Sequence, residues 1–198
     1  MSDAHACEAD FAPLPASPRS PGGVRPAVPI NQRVQATERL VGTLVHRLVQ
    51  RCGLSVDVDP EALARTVRQL LRPDEQPLVD DLDELFERAV VFYRDLRERR
   101  DVRRLYEAGE VWHEVPFSLV KDGVRSRGSI DCIVARRAPT PGELEHLSIL
   151  ELKTGRGATA QQDEHRAQVS LYREAIRATF SGVSVTAVIV YADRIVVA

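Results

Sequence analysis

The chain has 198 residues, 43% hydrophobic and 28% charged, with a formal net charge of −2. That balance is ordinary for a soluble globular domain with an appendage, and it offers nucleic acid no global attraction. No apolar run approaches the ~20 residues of a membrane span, the N-terminus lacks the layout of a signal peptide, and Cys7, Cys52 and Cys132 are too scattered for a disulfide framework or a four-cysteine cluster site. No membrane partner and a reducing, cytoplasmic location are therefore expected.

The first 30 residues carry Pro13, Pro15, Pro18, Pro21, Pro26 and Pro29 without an apolar period, which predicts a disordered arm or linker over residues 1–33. The spacing of Leu40, Val41, Leu44, Val45, Leu48 and Val49 predicts a helix from Gln35 to Arg51, stopped at Cys52-Gly53. Asp59-Pro60, a cap followed by proline at the first helical position, opens a second helix to Leu71. A third is expected from Val79 to Arg100, with Leu82, Leu85, Phe86, Val90, Phe92 or Tyr93, and Leu96 in its buried stripe. Residues 34–100 thus form a helical region and 101–198 a separate core.

That second half changes character. Val111, His113, Val115, Phe117 and Leu119 alternate with Trp112, Glu114 and Ser118, and Asp122-Gly123 signals a hairpin turn. Strands are expected from Arg125 to Ala135 and Leu147 to Lys153, then a helix from Gln162 to Phe180, then strands over Val183–Val190 and Arg194–Val197.

Three ionisable groups fall at the ends of apolar strands, where charge needs a reason. Period-two geometry puts Leu147, Ile149, Glu151 and Lys153 on one face, and Ser129, Asp131 and Ile133 on one face opposite Ile130, Cys132 and Val134. Two strands can then offer one carboxylate each to a divalent cation, which favours oxygen ligands, while Lys153 orients or deprotonates an attacking water. An ordinary Glu151–Lys153 ion pair at an exposed strand end is the competing reading.

With Ala167 at zero on a helical wheel, Leu171, Ala175 and Ala178 lie close by, and Gln168 and Tyr172 fall between them and Ile176 on the same inward arc. A buried amide needs partners, whereas Tyr172 alone fits plain core packing. His46, one turn after Gly42, borders the apolar arc of the first helix, where a lone histidine is commonly structural. Glu114 faces away from the strand's main apolar set, and solvent exposure explains it as well as a place at the site does.

Taken together, Gly42-x3-His46, Glu114-x-Pro116-Phe117, Gly128-x-Ile130-Asp131, Glu151-x-Lys153 and Gln168-x3-Tyr172 resemble the PD-(D/E)XK nuclease superfamily. The similarity is greatest to the RecB-like nuclease domain at the C-terminus of bacterial helicase-nucleases, over about Leu40 to Phe180. The resemblance implies an α/β, restriction-endonuclease-like core, a mixed sheet of four or five strands in αβββαβ order with an N-terminal helical region. It implies a magnesium-dependent DNA exonuclease of recombination or repair, with manganese able to substitute. Its metal ligands would be His46, Asp131, Glu151 and the Leu152 carbonyl, with Asp131, Glu151 and Lys153 as the catalytic set. Gln168 and Tyr172 would bind substrate, and Glu114 is an auxiliary candidate. A catalytically silent DNA-binding module of the same fold, and a resolvase or restriction-type endonuclease, are the alternatives. The chain has no Gly-x4-Gly-Lys-Ser/Thr phosphate loop, so no ATP site is expected and a helicase motor would be another polypeptide. Nor does it carry the four cysteines of the iron-sulfur branch. The acid before the lysine is Glu151 where helicase-linked members commonly have aspartate. The proline-rich start suggests the detached end of a longer helicase-nuclease.

Overall fold

The computed structural model describes residues 30–54, 58–140, 142–155 and 159–198. Helix α1 (Ile30–Cys52) begins five residues before the expected start, so residues 30–33 of the expected arm are helical, and the remainder of the arm, with Cys7, lies outside the described residues. Helix α2 (Pro60–Leu70) starts as its sequence predicts, the Asp59 carboxylate accepting the Ala62 N–H at 2.9 Å. Helix α3 (Leu82–Glu98) is capped by Asp81 in the same way, through the Glu84 N–H. A helix that was not expected, α4 (Arg100–Tyr106), follows. Arg99 adopts extended backbone (φ −68°, ψ 120°) and breaks the charged run in two. Burial of Val102 and Tyr106, one turn apart, then gives α4 an apolar anchor.

Five strands, β1 (Glu110–Lys121), β2 (Val124–Arg137), β3 (Leu144–Lys153), β4 (Ser184–Tyr191) and β5 (Ile195–Val197), lie side by side in chain order. Asp122 and Gly123 both have positive φ, 49° and 76°, the geometry that lets a two-residue turn match the twist of β1 and β2. Helix α5 (Thr159–Thr179) carries the chain from β3 to β4, which pair in parallel with Leu150 opposite Val188 and Lys153 opposite Tyr191. The expected αβββαβ order is therefore present, with short β5 pairing antiparallel to the outer side of β4.

Helices cover both faces of the sheet. On one, Leu44, Val45 and Leu48 of α1 join Cys132, Val134, Leu150, Leu152 and Val190, in a cluster that also takes in α2, α3 and α4. On the other, Val169, Tyr172 and Ile176 of α5 pack on Ile133, Leu147, Ile149 and Ile189. The buried arc of α5 keeps Tyr172, Ala175 and Ile176 as expected but is shifted at its edge: Ala167 and Ala178 are exposed, and Val169 takes an inward position.

Besides a register shift at Arg136–Arg137, alternation fails in the middle of β1 and β2, and that place matters. Ile130 and Ile133 pack on the α5 face although Cys132 packs on the other. Strand β1 slips likewise: Val111 lies on the α1 face, whereas Trp112, Val115 and Phe117 lie on the α5 face. The ladder runs from Glu110↔Ala135 to His113↔Cys132 and resumes at Val115↔Ile130, leaving Glu114 and Asp131 between. Glu114 is in the left-handed region (φ 48°). Both strands slip together, so register survives while the faces exchange. The expected grouping of Asp131 with Ile133 on one face, and of Val111 with Val115, is corrected accordingly.

Candidate active site

The slip places carboxylates where β2 parts from β3. Pairing between these strands starts at Cys132↔Leu150, and beyond it the Asp131 side chain substitutes for the ladder, its Oδ2 accepting the Leu152 N–H at 2.8 Å. Its Oδ1 lies 3.2 Å from His46 Nδ1, and His46 Nε2 donates to the Leu152 carbonyl at 3.1 Å. Burial opposes a charge on His46, but the Asp131 hydrogen bond, the Asp131 and Glu151 charges and the Leu152 carbonyl outweigh it and raise its pKa. The helix can come this close because of Gly42: a Cβ there would sit 3.0 Å from Thr154 Oγ1, just beyond the end of β3.

Glu114 reaches the same gap. Ligand atoms of His46, Glu114 and Asp131 lie within 4.8 Å of one another, and Ser129 Oγ donates to Glu114 Oε2 at 2.8 Å. On the next strand Glu151 is only 2% exposed. Its Oε1 accepts from Lys153 Nζ at 2.7 Å, while Oε2 is buried without a hydrogen-bond partner. Desolvation, followed by the Asp131 charge, pushes the Glu151 pKa up, and the Lys153 and His46 charges only partly offset this. The carboxylate and the amine do point together, as the strand period predicts.

Helix α5 closes the far side. Gln168 Oε1 accepts from Lys153 Nζ at 3.1 Å, and its Nε2 donates to Tyr172 OH at 2.5 Å. Burial and the Glu151 charge hold the Tyr172 hydroxyl at about 12, so it stays protonated. Its ring meets Phe117 edge-on at 5.0 Å. His165 on α5, which the sequence reading missed, bonds Tyr191 OH at 2.9 Å, and burial and the nearby Lys153 charge lower its pKa. Its spacing of three before Gln168 and seven before Tyr172 was the signal that could have found it.

The structure therefore brings His46, Glu114 and Asp131 into one cluster and Glu151, Lys153, Gln168 and Tyr172 into an adjoining chain of contacts. The Leu152 carbonyl is engaged by His46. Two carboxylates and an imidazole within reach of one ion, beside a buried carboxylate oxygen with nothing to accept from, fit a divalent cation. A separate cavity of about 450 Å³ over Val41, Val91 and Phe92 contains none of these groups.

No curated protein matches the chain. A crystal structure described as a "putative exonuclease" from Eubacterium rectale is similar over 82% of this chain and 59% of its own length, with 13% identity and a TM-score of 0.49. The chain thus spans about three-fifths of that protein. The model of the PD-(D/E)XK nuclease superfamily matches residues 22–195, nearly the whole sequence, and with that span the chain belongs to the PD-(D/E)XK nuclease superfamily.

Proposed function

We propose that the protein is a magnesium-dependent deoxyribonuclease, with manganese able to substitute, that removes nucleotides from DNA ends in recombination or repair in the manner of RecB-like nuclease domains. The observation that carries this reading is the buried Glu151–Lys153 pair, with its unpartnered oxygen, beside the His46, Glu114 and Asp131 donors. A silent DNA-binding module would gain nothing from a buried carboxylate left half satisfied.

His46, Asp131 and Glu151 would hold the cation, with Glu114 joining them and the Leu152 carbonyl available once His46 releases it. A cation held there supplies a Lewis acid for the phosphate and acidifies water. Lys153 orients the attacking water and donates to a phosphate oxygen as negative charge grows on it. Gln168 fixes the Lys153 ammonium, and Tyr172 fixes the Gln168 amide. Asp131, locked by the Leu152 N–H, keeps its orientation without rearrangement. Attack by water forms one P–O bond as the bond to the leaving sugar oxygen breaks; the water's proton passes to bulk solvent, and the leaving oxygen takes one from it.

Linear and covalently closed circular DNA incubated with magnesium test the reading. Wild type should shorten the linear form and spare the circle, and Lys153→Ala should be at least ~100-fold slower, the usual cost of removing one donor to charge that develops in the transition state. Folded wild type that leaves both forms intact with magnesium or manganese would refute a free-standing nuclease. Activity only with an added helicase motor on another polypeptide would make the chain the nuclease part of a larger machine, and a cut circle would make it an endonuclease.

A further inference from the structure

Beside the His46–Glu114–Asp131 cluster an open cleft of about 610 Å³ runs along α1, between Thr43, Gln50 and Arg72. It leads into a hollow of about 550 Å³ that shares Gln50 and Arg72 and adds Arg51 and Gln69. Arg47 lines both, but its charge is spoken for. Its guanidinium forks onto the Glu75 carboxylate with two contacts of 2.7 Å, and donates to the Leu70 carbonyl at 2.9 Å. Arg47 is a strut that fastens the turn after α2 to α1 and gives the cleft its wall.

Arg51 and Arg72 differ. Both are exposed, and among the described residues neither forms an ion pair with a carboxylate, whereas Arg68, Arg88, Arg103, Arg136 and Arg137 each do. With Arg47 set aside, the described residues lining the two hollows include two arginines and two glutamines against one carboxylate, Glu114, in a chain whose net charge is −2. Among the described residues no aromatic side chain lines them, so those residues offer bases no ring to stack on, while a sugar-phosphate chain finds both charge and amides.

We propose that this cleft seats the phosphate backbone of a DNA strand on one side of the scissile bond, with Arg51 and Arg72 contacting phosphates and Gln50 and Gln69 hydrogen bonding between them. The assignment rests on the nuclease reading and adds to it a sequence-independent track, which explains how a chain with no global positive charge can hold a polyanion at its active site.

The test is fluorescence anisotropy with an end-labelled DNA strand of about 20 nucleotides, longer than one such site. Calcium replaces magnesium to keep the strand uncut, and salt is varied over roughly 50–300 mM. Two lost phosphate contacts at about 0.7 each should lower the salt slope by about 1.4 in Arg51→Ala/Arg72→Ala, and weaken binding roughly 10–30-fold near 0.1 M salt. Arg51→Lys/Arg72→Lys should restore most of the affinity, and Arg103→Ala, which removes a charge from α4, should bind as wild type does. An unchanged slope in the double alanine variant, an equal loss in Arg103→Ala, or wild type that does not bind the strand would overturn the proposal. Cleavage of linear DNA by wild type, run in parallel, separates the two ideas. Cutting with unchanged binding of the double alanine variant removes the cleft alone. No cutting with the expected loss of binding keeps the cleft and removes the nuclease.

Discussion

Replacing Glu151 by glutamine should make the metal-free protein more stable at alkaline pH. Glu151 is 2% exposed, one oxygen meets Lys153 at 2.7 Å and the other meets nothing. Leaving a buried acceptor unsatisfied costs about 1–3 kcal/mol, more when it is charged, and the lysine returns part of that. The pKa of Glu151 is raised in the folded state, so the folded protein holds this proton more tightly than the unfolded chain. Stability from this group is then complete below the ordinary carboxylate range and is lost as pH rises from there through the folded pKa. Glu151→Gln cannot ionise, and its oxygen can still accept from Lys153. Thermal melts in EDTA between roughly pH 5 and 8.5 should show wild type falling relative to the variant by about 1–3 kcal/mol, or several degrees at about 2–4 °C per kcal/mol for a chain of this size. Glu75 is common to both proteins and cancels in the difference, whereas His46, whose pKa the Glu151 charge helps to raise, does not, so the same pair of melts is repeated in a His46→Gln background. Magnesium or manganese at about 100 times its Kd should then return about 2.7 kcal/mol to wild type, and little to the variant. Parallel melting curves across the pH window would show that the Glu151 carboxyl carries no burden, and the argument that it awaits a cation would fall.

Glu75 acts in the opposite sense. Chiefly through the Arg47 hydrogen bonds, its pKa is held down to about 2, so its contribution is present above the ordinary carboxylate range and lost as pH falls through about 2. Glu75→Gln should cost about 1–2 kcal/mol near neutrality once solvent screening is allowed for, with the gap to wild type closing in acid melts. Gly42→Val should push α1 off Thr154 and carry His46 away from Asp131 and Leu152. Displacement of about 1 Å at a reacting centre costs on the order of 100-fold, and overpacking about 1–3 kcal/mol. Measured kcat should therefore fall far more than Tm, and an unchanged kcat would show that the approach of α1 is not needed.

Much of the fold was legible because its signals are local. The α1 stripe from Leu40 to Val49 is wholly buried as its spacing predicts, Asp59-Pro60 starts a helix, and Asp122-Gly123 makes the turn. Helix α4 was hidden because the run at Arg97–Arg100 reads as a continuing charged tail, and only tertiary burial of Val102 and Tyr106 makes a second helix there. The Arg47–Glu75 clip spans 28 positions, a separation at which residue spacing carries no information. The site shows the same division. Glu151 and Lys153 follow from strand period, and Gln168 and Tyr172 from helical position. Asp131 was identified from its motif, but its side chain could not be aimed correctly by counting in twos.

That last failure carries a physical lesson about the site. A left-handed glutamate inside a strand is a costly choice, on the order of 1–3 kcal/mol, and the Ser129 bond to Glu114 offsets part of it. A glycine at that position would remove the strain and also the carboxylate. The slip at Glu114 and Asp131 lets the apolar residues on either side change faces and keep both cores filled, while the two acids are left in the gap between the faces. In a regular ladder, opposed acids would have met as a like-charged cross-strand pair, which is destabilising. Here they are turned toward His46 instead, so the irregularity that defeats the period-two reading is the one that gathers the candidate metal ligands.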